Sequence, residues 1–195
     1  VHNGTYSENI DLLGKALILG SEYFISGDTT HITSTVIDGQ LNGSTITISD
    51  ISGTILKLVG FTIQNGNASN GGAIYSSNSN PVFENLIIKN STASNSGGGI
   101  YLHNNSSAVL NKLTIINNSA QNGGGIYLDS SNPTITNIVL SNNTADSSGG
   151  AIAMYSDSNP GIYNAVIYDN YAGLFGGSMQ ISNSNPTINY STIIA

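Results

Sequence analysis

The chain of 195 residues has no cysteine and no arginine, and its four lysines face eleven acidic residues. Without cysteine there is no disulfide, no thiolate metal site and no cysteine nucleophile. A net charge of −7 with so few cations gives no basic surface to neutralise phosphates, so nucleic acid is not an expected partner. Charged residues make up 8% of the chain, far below the usual quarter, and no apolar run approaches the roughly 20 residues that span a bilayer. No signal-peptide pattern is visible, and the chain reads as a mature or excised segment. The polar positions are filled by Asn, Ser, Thr and 23 glycines, all of which disfavour helix interiors. Plentiful Ile, Val and Thr still argue for a folded chain.

Repetition is what the chain has in their place. Double-glycine phrases begin at Gly71, Gly97, Gly123, Gly149 and Gly176, in steps of 26, 26, 26 and 27. The phrases "IQNGNA", "IKNSTA", "IINNSA", "LSNNTA" and "IYDNYA" close on Ala68, Ala93, Ala120, Ala145 and Ala172 in the same rhythm. Asn-Pro pairs at 80–81, 132–133, 159–160 and 185–186 form a third landmark, with Ser106 and Ser107 standing in once. A period of this length means a solenoid, each unit burying its apolar face against its neighbours. Within a unit, apolar residues alternate with period 2, as in "PTITNIVL", and Asn, Gly and Pro interrupt every few residues. Two or three short strands per repeat make one coil of a parallel β-helix. The expected architecture is therefore all-β, a single solenoid domain over 1–195 with roughly 26 residues per coil. Regular repeats fill 67–195, and irregular N-terminal coils with excursions such as 22–33 fill 1–66 ("ALILGS", "STVIDG", "STITISD" and "GTILKLVGFTI" supply their strands). At 4.8 Å per coil, roughly seven and a half coils give a rod of about 35 Å.

The period assigns side chains to columns. Ile74, Ile100, Ile126, Ile152 and Met179 should stack inside, with Ser76, Leu102, Leu128, Met154 and Ile181 two residues on. The glycine pair makes a tight corner. Asn65, Asn90, Asn117, Asn142 and Asp169 should form a corner column whose side chains hydrogen-bond along the axis.

Two features resemble known families. "GGAIY" and "GGGIY", paired with Ile-x-Asn-x-x-Ala over 61–195, resemble the repeats of polymorphic outer-membrane proteins and of autotransporter-type adhesin passengers, with Ile or Leu in place of the usual Phe. "GTYSENI" followed by "TVIDG" resembles the opening coils of the pectin-lyase-like superfamily. The resemblance implies a right-handed parallel β-helix, extracellular or on a cell surface. It implies no single activity, since the fold hosts lyases, hydrolases, adhesins and stalks.

Candidate chemistry is sparse. Arginine-dependent lyase and esterase sites are excluded within these residues, Lys15, Lys57, Lys89 and Lys112 are well spread, and no Asp-x-Asp pair occurs. Asp129 and Asp157 follow successive glycine phrases and are expected as near neighbours. Asp146 and Asp169 are expected at neighbouring turns. The ordinary reading of all four is solvated turn aspartates, and the alternative is a weak calcium site. His2, His31 and His103 lie far apart and read as surface histidines. No metal, cofactor or catalytic residue is expected. The one outward pattern is aromatic. Tyr75, Tyr101 and Tyr127 follow the inward Ile, and Tyr155 stands on the same face two residues along from Ala153. Such a strip either stacks on sugar rings or only stiffens its sheet.

The expected function is a non-enzymatic extracellular or cell-surface rod, structural or adhesive. Neither end carries a capping helix, so self-association of open β-helix ends into filaments is expected, with polysaccharide or surface glycan as a further partner. The alternative is a polysaccharide-binding or polysaccharide-degrading β-helix.

Overall fold

The computed structural model describes residues 1–51 and 55–194. The chain winds as a parallel β-solenoid of about six turns, with three parallel sheets running along its axis. The long face contains Val82–Lys89, Val109–Ile116, Thr134–Ser141 and Gly161–Tyr168, preceded by Gly4–Ser7, Thr35–Asp38 and Thr62–Gln64. A second, seven-stranded face runs from Ile10–Asp11 and Ile46–Ser49 through Ile74–Ser77, Ile100–His103, Ile126–Asp129 and Ile152–Tyr155 to Met179–Ile181. A third, short face contains Asn67–Asn70, Thr92–Ser96, Ser119–Asn122, Thr144–Ser148 and Tyr171–Ala172. Three strands per repeat and a spacing near 26 match the sequence reading. The coil number is lower than seven and a half because the N-terminal residues do not all wind. Tyr23–Ser26 and Thr30–Ser34 form two helical turns that pack outside the coils. The first residues of "GTILKLVGFTI", 53–54, lie outside the described residues; its remainder supplies Lys57–Val59 and Thr62–Gln64.

Alternation sets the core. Ile46, Ile74, Ile100, Ile126 and Ile152 form one column of fully buried side chains, and Phe83, Leu110, Ile135 and Ile162 face them from the long face. Each such residue contributes about 2 kcal/mol by leaving water. Ala93, Ala120 and Ala145 are the inward residues of the short face. The second glycine of each phrase has a steric reason. A Cβ on Gly72, Gly98, Gly124 or Gly150 would overlap the carbonyl oxygen of the equivalent glycine one coil on.

The polar ladder lies one residue from where the sequence suggests. Asn65, Asn90, Asn117, Asn142 and Asp169 are the corners themselves, in left-handed conformation with φ between 52° and 56°. The axial hydrogen bonds belong to the residue after each corner. The Asn118 amide donates to Asn143 Oδ1 (3.1 Å) and Ile88 O (3.1 Å); that of Asn143 donates to Asn170 Oδ1 (3.0 Å) and Ile115 O (2.9 Å). The same oxygens accept the backbone N–H one coil back, at Ser91, Asn118 and Asn143. Short Asn side chains tolerate the left-handed corner, and inward Asn satisfies the backbone groups that a corner strips from the ladders.

Asn-Pro has a comparable cause. Asn80 Oδ1 accepts from Ser107 N and Asn132 Oδ1 from Asn159 N, while Ser107 Oγ takes the asparagine's part toward Asn132 N. Beside them Ser131 Oγ and Ser158 Oγ accept from Ser106 N and Ser131 N, inside the coil. Among the described residues, every buried side-chain nitrogen or oxygen has a partner.

Candidate functional site

The seven-stranded face has the densest group of functional side chains. Parallel register places Tyr75, Tyr101 and Tyr127 directly above one another, with Ala153 next in line. Tyr155 is paired through its backbone with Asp129, but its ring leans across the gap left by Ala153 and stacks on Tyr127. Diagonal neighbours on one sheet face are within reach of long side chains. The centroids are 5.6, 5.4 and 5.4 Å apart, with interplanar angles of 21°, 23° and 19°. All four tyrosines thus form one continuous stack.

That geometry changes what the strip can offer. The faces of Tyr101 and Tyr127 are covered on both sides by neighbouring rings, leaving edges and hydroxyl groups rather than flat faces. Tyr101 is 8% exposed. The corner before each strand also presses on the ladder's base, since a Cβ on Gly97 or Gly123 would come within 2.9 Å of the Tyr101 or Tyr127 Cβ. Burial, the Asp129 carboxylate and the neighbouring phenols push the Tyr101 hydroxyl up to about 12. Burial, Asp129 and Tyr155 raise Tyr127 as well, with Ser96 acting weakly the other way.

A second column lies beside the stack, two residues further along each strand: Ser49, Ser77, His103, Asp129 and Tyr155. His103 Nδ1 donates to Asp129 Oδ2 at 3.1 Å, and the His103 ring lies against Tyr101 at 5.6 Å. His103 is therefore not an isolated surface histidine, and Asp129 is coupled to it rather than to Asp157. Asp157 lies in an exposed left-handed turn past the strand, beyond the register that pairs Asp129 with Tyr155. Asp169 is a corner residue, whereas Asp146 lies in the short-face strand Thr144–Ser148. The pairing of His103 with Asp129 was legible in principle. "GGGIYLH" and "GGGIYLD" place the two residues at one position of adjacent repeats.

Other polar groups gather near the helical excursion. His2 and His31 approach the two oxygens of Glu22 at 2.6 and 3.6 Å, and the hydrogen bond to His2 holds the Glu22 carboxyl below its usual range. Lys57 and Glu84 pair at the floor of an open cleft of about 430 Å³, whose wall includes the half-exposed Phe24 ring. Lys57 Nζ lies 5.8 Å from that ring's centroid. Among the described residues, no three His, Asp or Glu side chains converge as a metal site, and no helix is long and apolar enough to cross a membrane.

Comparison with known proteins fits the architecture. A family model described as "Right handed beta helix region" matches residues 23–145 and, in an overlapping second match, 85–195. No curated protein and no solved structure matches the chain significantly. Two overlapping matches covering nearly all the coils, on a chain that winds as a parallel solenoid, give the assignment: the chain belongs to the right-handed β-helix family.

Proposed function

We propose that the chain is a structural rod of the extracellular space or a cell surface, acting through its length and stiffness. One observation carries this reading. Polar and aromatic side chains are used along the axis, coil to coil: Asn118–Asn143–Asn170 inside, Tyr75–Tyr101–Tyr127–Tyr155 outside. Each aromatic contact contributes about 0.5–1.5 kcal/mol beyond area burial, and the amide ladder removes the cost of buried unpaired backbone groups. Side chains that turn to one another stiffen a rod. The likeness of the repeats to those of polymorphic outer-membrane proteins supports display at a surface, and adhesion belongs to the same reading. End-to-end association of such rods is part of the proposal.

The test is negative-stain electron microscopy of the untagged chain at micromolar concentration, together with a proteinase K time course. Dispersed or end-joined straight rods that resist digestion over the coils are expected. Globular particles, or rapid cleavage inside 67–170, would remove the reading. A second reading, polysaccharide binding or degradation, draws support from the cleft that combines the Phe24 ring with the Lys57–Glu84 pair. An aromatic surface beside a donor and an acceptor suits a sugar ring. Retardation of the chain in polysaccharide-containing gels, abolished by Phe24→Ala, would favour it; release of reducing sugar or unsaturated product would establish degradation.

A further inference from the structure

The column beside the tyrosine stack brings together three residue types that act jointly in acyl transfer. Ser77, His103 and Asp129 occupy one outward position in three successive coils, paired in register Ser77 to His103 and His103 to Asp129. We propose that they form an acyl-transfer site for small aryl esters, with Ser77 as nucleophile, His103 as general base and Asp129 as the positioning residue. The inference goes beyond the rod reading and does not depend on it.

Geometry supports each role. His103 donates its Nδ1 proton to Asp129 Oδ2, which fixes the tautomer and leaves the lone pair on Nε2. Ser77 lies one coil from His103, on the side of the column away from Asp129. Neighbouring strands are about 4.8 Å apart, so a change of side-chain rotamer can bring Ser77 Oγ to the imidazole. Contact with Tyr101 restrains the histidine ring, and the side chain remains 38% exposed, open to a reactant.

The chemistry balances without a further reagent. Ser77 Oγ bonds to the ester carbonyl carbon while its proton passes to His103 Nε2, and the resulting imidazolium faces the Asp129 carboxylate. The aryl oxygen departs with that proton as a phenol. Water then attacks the acyl-serine, His103 takes its proton, and the carboxylic acid leaves as Ser77 Oγ is reprotonated. Ester and water become acid and phenol.

The surroundings also set the substrate class. The backbone N–H groups of Asn78 and Asn104, which follow Ser77 and His103, donate to His103 O and Asp129 O. Neither is free to hold an oxyanion, so the rate gain rests on general-base assistance, about 10²–10⁴-fold. Such a site needs a good leaving group, which a phenol provides. An aryl ring also has an apolar neighbour here, because Tyr75, the end of the stack, precedes Ser77 by two residues on the same face.

The full chain is treated with a fluorophosphonate probe and adducts are mapped by peptide mass spectrometry; hydrolysis of p-nitrophenyl acetate is followed in parallel. A single adduct on Ser77 and hydrolysis about a hundredfold above buffer are expected. Ser77→Ala and His103→Gln abolish both, while Ser49→Ala, one coil away in the same column, leaves both unchanged. Asp129→Asn lowers the rate at least tenfold with an unaltered melting curve, and Asp129→Glu restores part of it. No adduct on Ser77, adducts spread over several serines, or a rate indifferent to His103→Gln overturns the proposal. Adduct mapping needs no substitution, so a variant that fails to fold does not obscure the result.

Discussion

Asn142 and Asn143 are adjacent residues of one type, and replacing each by alanine should have unequal costs. The Asn143 side chain is fully buried. It accepts from Asn118 N and Asn118 Nδ2 and donates to Ile115 O and Asn170 Oδ1. Asn118 Nδ2 keeps Ile88 O, and Asn170 Oδ1 keeps Asn143 N. Asn143→Ala therefore leaves one buried backbone donor, the Asn118 N–H, without a partner, and removes the side-chain hydrogen bond that Ile115 C=O accepts. At about 1–3 kcal/mol for the stranded N–H, plus the void, the expected loss is about 2–4 kcal/mol. Asn142 is an exposed corner at φ 55°, where alanine costs only the left-handed penalty, about 1–2 kcal/mol. Asn143→Ser should fall between, because Ser91 already performs half the task by accepting from Gly66 N. Guanidinium unfolding gives the three stabilities. Native-state hydrogen exchange adds a local readout, since Asn118 N–H should lose protection in Asn143→Ala and retain it in Asn142→Ala. Equal costs for the two alanine variants, or an Asn118 amide that stays protected without Asn143, would refute the assignment of the ladder to the inward column.

Two further outcomes follow from the same coils. Gly124→Ala should cost more than about 3 kcal/mol in a melting experiment, because its Cβ would overlap Thr144 O and Gly150 O. Tyrosinate absorbance should show Tyr101 ionising near pH 12, well after tyrosines at the ordinary value of 10. A phenol raised in the folded state stabilises the fold fully below its unfolded pKa. Between pH 10 and 12 the unfolded chain gives up that proton first, so Tyr101 should withdraw about 2–3 kcal/mol of stability across that window. Uniform titration near 10 would contradict the buried stack.

The solenoid was legible because its constraints repeat. A Cβ is forbidden at the second glycine of each phrase, only a small residue faces inward on the short face, and Asn-Pro marks a turn whose amides are capped from the neighbouring coil. Each constraint recurs once per coil, so the period emerges from residue types alone. The first coils were less legible for the same reason. Tyr23–Ser26 and Thr30–Ser34 pack locally on the long face, and room for them comes from Gly20 and Gly60, where a Cβ would strike Phe24 and Tyr23. Such contacts occur once and leave no rhythm. The inward Asn column was misplaced by one residue because Asn117–Asn118 and Asn142–Asn143 satisfy both a left-handed corner and an axial ladder, and residue type does not say which neighbour turns inward.

The candidate site was half legible, and the missing half has a physical origin. Tyr75, Tyr101 and Tyr127 announce themselves by identity, since three copies of one residue at one position are visible without any structure. Ser77, His103 and Asp129 share a position just as strictly but are three different residues, so repetition conceals them. Parallel register converts a separation of 26 residues into a lateral distance of about 4.8 Å. In a solenoid the chemical neighbours of a residue are thus its homologues in adjacent coils, and unlike residues in one column are where reactivity can arise. Tyr155 makes the complementary point. Its backbone belongs to the Ser77–His103–Asp129 column, yet its ring joins the tyrosines, because Ala153 leaves a gap that a neighbouring aromatic side chain can fill. Register decides which side chains are offered to each other, and side-chain volume decides which of them meet.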